Sequence, residues 1–235
     1  QSRGLGDVYK RQHILRVMDL NYTIKMEKKE SEKPVVRNDS VAPTMAKTEQ
    51  TIDKSRRVCT LSHVMIEMLV KQLGAELSNH NLYRTFANYF SCQGLPKLEE
   101  YFILRADEED NHHNWILWYL NYNDAEFQYP RIEAINVDIP NRAYPFEATV
   151  DREIETTESI NKIVKQAIQE GDWATEAWLK GNDDEHGKLV LEQIEEESIS
   201  RTIAEMANED TDWQTKQDTI LSFYLDYPGR NPNDD

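Results

Sequence analysis

From Leu61 onward the chain repeats apolar residues at three- and four-residue steps. Met65, Leu69, Leu73, Tyr83, Ala87 and Phe90 share one stripe, and Glu76 and His80 fall on it too. That period is helical and predicts a first helix from about Leu61 to Cys92, stopped near Gln93-Gly94. A second helix is expected from about Pro96 to Leu120, with Phe102, Glu109, His112, Ile116 and Tyr119 on its inner stripe. At ~1.5 Å per residue both exceed roughly 35 Å, a bundle length. Asn121 to Pro145 breaks the period and holds Pro130, Pro140 and Pro145. A link of about 25 residues between such helices predicts a crossover along the bundle, not a tight hairpin. A third helix is expected from about Phe146 to Glu170, on a stripe of Val150, Glu153, Thr157, Ile160, Val164 and Ala167. A fourth starts at Asp172-Trp173, is interrupted between Gly181 and Gly187, and resumes to about Met206. A short fifth helix follows from Asp212, its N-cap, to Tyr224. The expected fold class is all-α: an antiparallel four-helix bundle with one long crossover and a short fifth helix.

The flanks differ. Met26 to Arg57 is rich in Lys, Glu, Ser, Thr and Pro with little periodic apolar content, so residues 1–57 read as a disordered or weakly ordered arm. Gln1 to Gln12 resemble a translated sequencing-adapter remnant, which puts the expected natural start at Met18 or Met26. The bundle is assigned to residues 58–226 and a polar tail to 227–235.

Composition narrows the function. Lys and Arg number 27 against 43 Asp and Glu, a net charge of −16. That argues against a nucleic-acid partner and suits cation traffic, although solubility alone explains it equally well. Two cysteines, Cys59 and Cys92, are too few for a disulfide framework, so a reduced, cytoplasmic setting is expected. No run approaches the ~18 apolar residues of a membrane span, and no membrane role is expected.

Chemistry enters with Glu109 and His112. Residues at i and i+3 lie on one helix face, where a carboxylate and an imidazole can grip one metal ion. Alone the pair reads equally as a solvated face. It gains force because Glu76, Glu153 and the run Glu192-Gln193-Ile194-Glu195-Glu196-Glu197 put carboxylates on three further helical stretches. Burying several carboxylates without a cation is costly, since they repel and lose hydration. Ferrous iron accepts such oxygen and nitrogen ligands. Four helices of this kind carry a carboxylate-bridged di-iron site in ferritin-like bundles.

The segment from about Leu61 to Met206 resembles a bacterial non-haem ferritin. Leu69 to Tyr83, Ala106 to His112, Glu153 to Asn161 and Glu192 to Glu197 are similar to the family's four helix motifs, and the separations of 33 residues from Glu76 to Glu109 and 44 from Glu109 to Glu153 fit its pattern. The resemblance implies that Glu76, Glu109 and His112 hold a first iron. It implies that Glu109, Glu153 and Glu196 hold a second, with Gln193 close by. Glu108, Glu192 and Glu195 match residues of a third, transient site. Tyr83 matches a tyrosine that donates an electron to the centre; it also reads as a core tyrosine bonded to a buried carboxylate. Oxidation of Fe(II) by dioxygen or peroxide and a homo-oligomeric cage of 24 subunits follow by the same resemblance. Haem-containing relatives carry Glu-x-x-His in the fourth helix, where this chain has Gln193 and Glu196. Met65 and Met68 read as core filler, not haem ligands.

One departure stands out. Gln193 arrives about seven residues late after Trp178-Leu179-Lys180. An ungapped alignment puts His186 and Leu189 at the ligand positions, and leucine cannot ligate. Seven residues turn a helix by ~700°, about 20° short of whole turns, so an insertion keeps Glu196 inward. Gly181 to Gly187 is expected as an exposed bulge, with metal entry as its alternative role. Two other function classes remain: a non-enzymatic helical scaffold, and a di-iron oxidase or peroxidase of the rubrerythrin kind, which the lack of a Cys-x-x-Cys pair disfavours.

Overall fold

The computed structural model describes residues 59–181 and 187–228. The expected arm, all but the start of the polar tail, and Asn182 to His186 of the expected bulge lie outside the described residues. The described residues form six helices: α1 His63–Cys92, α2 Pro96–Tyr122, α3 Tyr144–Glu170, α4 Trp173–Lys180, α5 Leu189–Asn208 and α6 Trp213–Leu225.

Each boundary has a local cause. The Ser62 hydroxyl accepts from the Met65 amide at 3.0 Å and caps α1. Pro96 opens α2 at a position where its missing N–H costs nothing. Gly171 ends α3 in the left-handed conformation (φ 70°), and the following Asp172 amide bonds back to Ala167. Asp212 caps α6 as expected, accepting from the amides of Gln214 and Thr215 at 3.0 Å each.

The helices form a four-helix bundle in which α4 and α5 together make the fourth member. α1 packs on α2, α3 on α5, and α6 lies against α2. The apolar core falls into two clusters. One gathers Leu82 to Phe90 of α1, Leu98 to Ala106 of α2, Phe146 of α3, Ile199 to Ala207 of α5, and α6. The other gathers Leu61 to Leu73, Ile116 to Leu120, Ile160 to Ala167, Leu179 and Leu189. The order in which each helix visits the clusters gives the topology. α1 runs from the second to the first, α2 returns, and α3 starts again at the first. α2 and α3 are therefore parallel, and the stretch between them must run the bundle's length.

That crossover presses on α1. A Cβ at Gly74 would lie 3.0 Å from Pro130 Cγ, so this mid-helix glycine is the clearance the crossover needs. His113 of α2 donates from Nδ1 to the Leu73 carbonyl (3.2 Å) and accepts from the Tyr129 hydroxyl at Nε2 (2.6 Å), which fixes the crossover from its other side.

Half of the expected α3 stripe, Glu153, Ile160 and Ala167, is buried, and the other half is displaced by one residue. Thr149, Glu153, Thr156, Ile160, Ile163 and Ala167 are buried, whereas Val150, Thr157 and Val164 are only half-buried. Thr156 and Ile163 stand beside residues of similar polarity, Thr157 and Val164, so the pattern there fits either position. The choice is made by contacts: the Thr156 hydroxyl accepts from Asn79 of α1 at 3.2 Å, and the Thr149 hydroxyl satisfies the Pro145 carbonyl at 2.8 Å.

At the interruption, the chain leaves α4 and returns to the same turn. Gly181 is left-handed (φ 79°), and a Cβ there would lie 3.0 Å from Lys188 Cα. A Cβ at Gly187 would stand 2.7 Å from the Trp178 carbonyl oxygen. Residues 181 and 188 thus abut, and α5 resumes with Gln193 and Glu196 buried.

Candidate metal centre

Between the two apolar clusters each helix inserts polar residues at one level. α1 supplies Gln72, Glu76 and Asn79, and α2 supplies Arg105, Glu109 and His112. α3 supplies Glu153 and Thr156, and α5 supplies Gln193 and Glu196. All are buried; Glu76, Arg105 and Glu153 are wholly inaccessible.

Three sets of donor atoms converge so that all atoms of a set lie within 4.8 Å of one another: Glu76, Glu109 and His112; Glu109, Glu153 and Glu196; and His112, Glu192 and Glu196. Glu109, His112 and Glu196 each belong to two of the sets, and Glu109 is the residue that the first two have in common.

The two halves differ in how their oxygens are satisfied. In the first, Glu76 Oε1 accepts from Gln72 Nε2 at 2.8 Å. Glu76 Oε2, both Glu109 oxygens and His112 Nδ1 have no hydrogen-bond partner among the described residues. Unmet buried polar atoms are costly, and here they face one space, with His112 Nδ1 3.7 Å from Glu109 Oε2. That donor set fits a divalent cation. The second half is largely filled by protein. Glu153 Oε1 accepts from the Tyr83 hydroxyl and from Arg105 Nη2, both at 2.5 Å, and Glu153 Oε2 accepts from Gln193 Nε2 at 2.7 Å. Arg105 Nη1 lies 2.8 Å from Glu108 and 3.5 Å from Glu196.

The electrostatics follow this asymmetry. Burial pushes the Glu76 carboxyl well above its ordinary range, and the neighbouring Glu109 charge adds to it. Burial likewise pushes Glu196 up, although His112 and Arg105 pull against it. Burial acts on Glu153 in the same sense, but Arg105, Tyr83 and Gln193 outweigh it and hold that carboxyl below its usual value. Burial alone would lower His112; Glu196, Glu109 and Glu192 reverse the sign and raise it. Burial also raises Tyr83, so its phenol remains a proton donor to Glu153.

A family model described as a ferritin-like domain matches residues 66–197, more than half the chain and every residue of the buried polar layer. The chain belongs to the ferritin family. Ferritin BfrB of Mycolicibacterium smegmatis is 26% identical over 149 residues, covering 63% of this chain and 77% of that protein. The bacterial non-heme ferritin of Campylobacter jejuni is 26% identical over 145 residues, covering 62% and 83%. Among solved structures, an open-pore ferritin from the hyperthermophilic archaeon Archaeoglobus fulgidus matches with a TM-score of 0.63 at 25% identity, covering 69% of this chain and 98% of that one.

Within this ferritin bundle the residues singled out from sequence have distinct placements. Glu76, Glu109, His112, Glu153 and Glu196 come together, and Tyr83 and Gln193 both bond to Glu153. Glu108, Glu192 and Glu195 do not converge on one point. They line a cleft of about 430 Å³ that reaches His112, with Glu108 paired to Arg105 and Glu192 3.1 Å from His112 Nε2. Sequence reasoning passed over Arg105. Its signal was position, four residues before Glu109 and so on the same inner face.

Proposed function

We propose that this ferritin-family chain stores iron, oxidising Fe(II) to Fe(III) at the buried layer and passing the product to a mineral inside a homo-oligomeric shell, of 24 subunits on the family pattern. The carrying observation is the set of unmet donors on Glu76, Glu109 and His112. A mere scaffold would retain the Arg105–Glu153 pair but gains nothing from two Glu109 oxygens buried without a donor.

In this reading the ions of a di-iron centre are substrates. The acidic cleft lined by Glu108, Glu192 and Glu195 raises the local Fe(II) concentration and leads it to His112. Glu76, Glu109 and His112 hold the first ion; Glu109 bridges to the second half, where Glu153, Glu196 and Gln193 stand. Each Fe(II) gives up one electron. Two electrons and two protons convert dioxygen to peroxide, or peroxide to water. Tyr83, held on Glu153, is placed to lend an electron or a proton. The shell is supported by apolar side chains left on the surface, among them Trp118, Tyr122, Trp173, Leu191 and Ile194. Among the described residues no helix is long and apolar enough to cross a membrane.

Sedimentation of the full chain after aerobic Fe(II) loading tests the reading. Iron should travel with a cage-sized particle. Precipitated iron beside iron-free small oligomers would contradict it.

A further inference from the structure

We propose that Arg105 is the resident counter-ion of the second half-site: its guanidinium holds the place a second divalent ion needs, so the halves fill in order, Glu76, Glu109 and His112 first. The inference rests on the metal-centre reading above and adds a role for a residue outside the ligand set.

Arg105 is fully buried, and Nη2 is 2.5 Å from Glu153 while Nη1 is 3.5 Å from Glu196. These are two of the three carboxylates of the second set. One cation therefore already touches both terminal carboxylates on that side. A guanidinium does not lose its proton in proteins, so Arg105 cannot yield its place by becoming neutral. A divalent ion beside it would meet like charge at short range, where screening by water is absent. In the first half-site no arginine or lysine among the described residues is paired with Glu76 or Glu109; the ion pairs of Arg105 go to Glu108, Glu153 and Glu196.

Displacement has a route. Arg105 Nη1 is already 2.8 Å from Glu108, whose side chain is 25% exposed at the mouth of the cleft. Rotation toward Glu108 keeps the guanidinium paired while freeing Glu153 and Glu196. The Tyr83 hydroxyl, with the Arg105 guanidinium 5.6 Å from its ring centre, stays with Glu153. Arg105 is thus a positioning residue that sets how many ions the layer takes and in what order.

Zn(II), which has no redox chemistry, is the probe. The full chain is titrated with Zn(II) by calorimetry, and zinc is located by anomalous scattering in crystals of the same protein. Wild type should show one strong zinc per subunit in the layer, at Glu76, Glu109 and His112. Arg105→Gln should show two, the second between Glu153 and Glu196. Arg105→Lys, which keeps the charge, should retain one. Two zinc ions of equal occupancy in wild type would overturn the inference and leave the metal centre standing, and that count needs no variant. A single zinc in folded Arg105→Gln would also overturn it, and a second zinc in Arg105→Lys would overturn the role of charge. No zinc in the layer of any variant would overturn the metal-centre reading itself, and this inference with it.

Discussion

Arg105 and Glu153, 48 residues apart in sequence, meet at 2.5 Å in the centre of the bundle with neither side chain exposed. Glu109, one turn along α2 from Arg105, has no donor on either oxygen. Two glutamates of one layer are thus in opposite electrostatic situations, and their substitutions should have opposite signs in the metal-free protein. Glu153→Leu removes the shortest partner of a buried guanidinium, which keeps only Glu108 and the more distant Glu196, and should destabilise by roughly 1–3 kcal/mol, while Glu109→Leu removes a buried carboxylate that accepts no hydrogen bond and should be neutral or stabilising. Urea unfolding of both variants decides; equal losses would show that the layer is not asymmetric.

The pH dependence of the metal-free protein follows from the same layer. Glu76 and Glu196 have folded values raised above the ordinary 4.5. Their contribution to stability is full below 4.5 and is lost as pH rises through the raised values. His112, raised above 6.5, contributes fully below 6.5 and loses that contribution at higher pH. Glu153 is lowered, so its share is present above 4.5 and lost only as pH falls through its depressed value. Net stability should therefore decline as pH rises above 4.5, and further as it rises above 6.5. Denaturation midpoints of metal-stripped protein that rise over this range would contradict these directions.

The interruption between α4 and α5 is predicted to be dispensable. Gly181 and Lys188 already abut, so removing Asn182 to Gly187 joins two neighbouring residues. The shortened chain should keep its helicity and oxidise Fe(II) at close to the wild-type rate. Loss of oxidation with helices intact would show that Glu196 is misplaced by the deletion, or that the segment itself takes part.

Gly74→Val forces a branched side chain into the 3.0 Å gap below Pro130. Overpacking of this kind costs about 1–3 kcal/mol. Fluorescence-monitored unfolding should register that loss, whereas Gly171→Ala, with open space at its Cβ but a left-handed backbone, should lose about 1 kcal/mol from backbone strain alone. An unaffected Gly74→Val would mean that the crossover is not held against α1.

How much of this was legible in the sequence depends on how local the cause is. Helix spans follow from apolar period and end signals: Asp212 caps α6 through its own next amides. Glu153, Ile160 and Ala167 of α3 were legible as inward positions, but the inward threonine was not, because Thr156 and Thr157 are alike in sequence and only Asn79 of α1 distinguishes them. The acidic members of the layer stood out because glutamate on an apolar stripe calls for a cation. Arg105 did not, because its partners Glu153 and Glu196 come from helices far along the chain. A lone arginine on an inner face reads as a surface charge until those partners are placed.

In the proposed function the ligand atoms of Glu109 and His112 hold Fe(II) for oxidation. Stopped-flow mixing of aerobic protein with Fe(II) measures this directly, comparing wild type with the double variant Glu109→Ala, His112→Ala. A rapid Fe(III) absorbance rise is expected in wild type and its loss in the double variant, with helical content retained. A folded double variant that oxidises Fe(II) at the wild-type rate would contradict it.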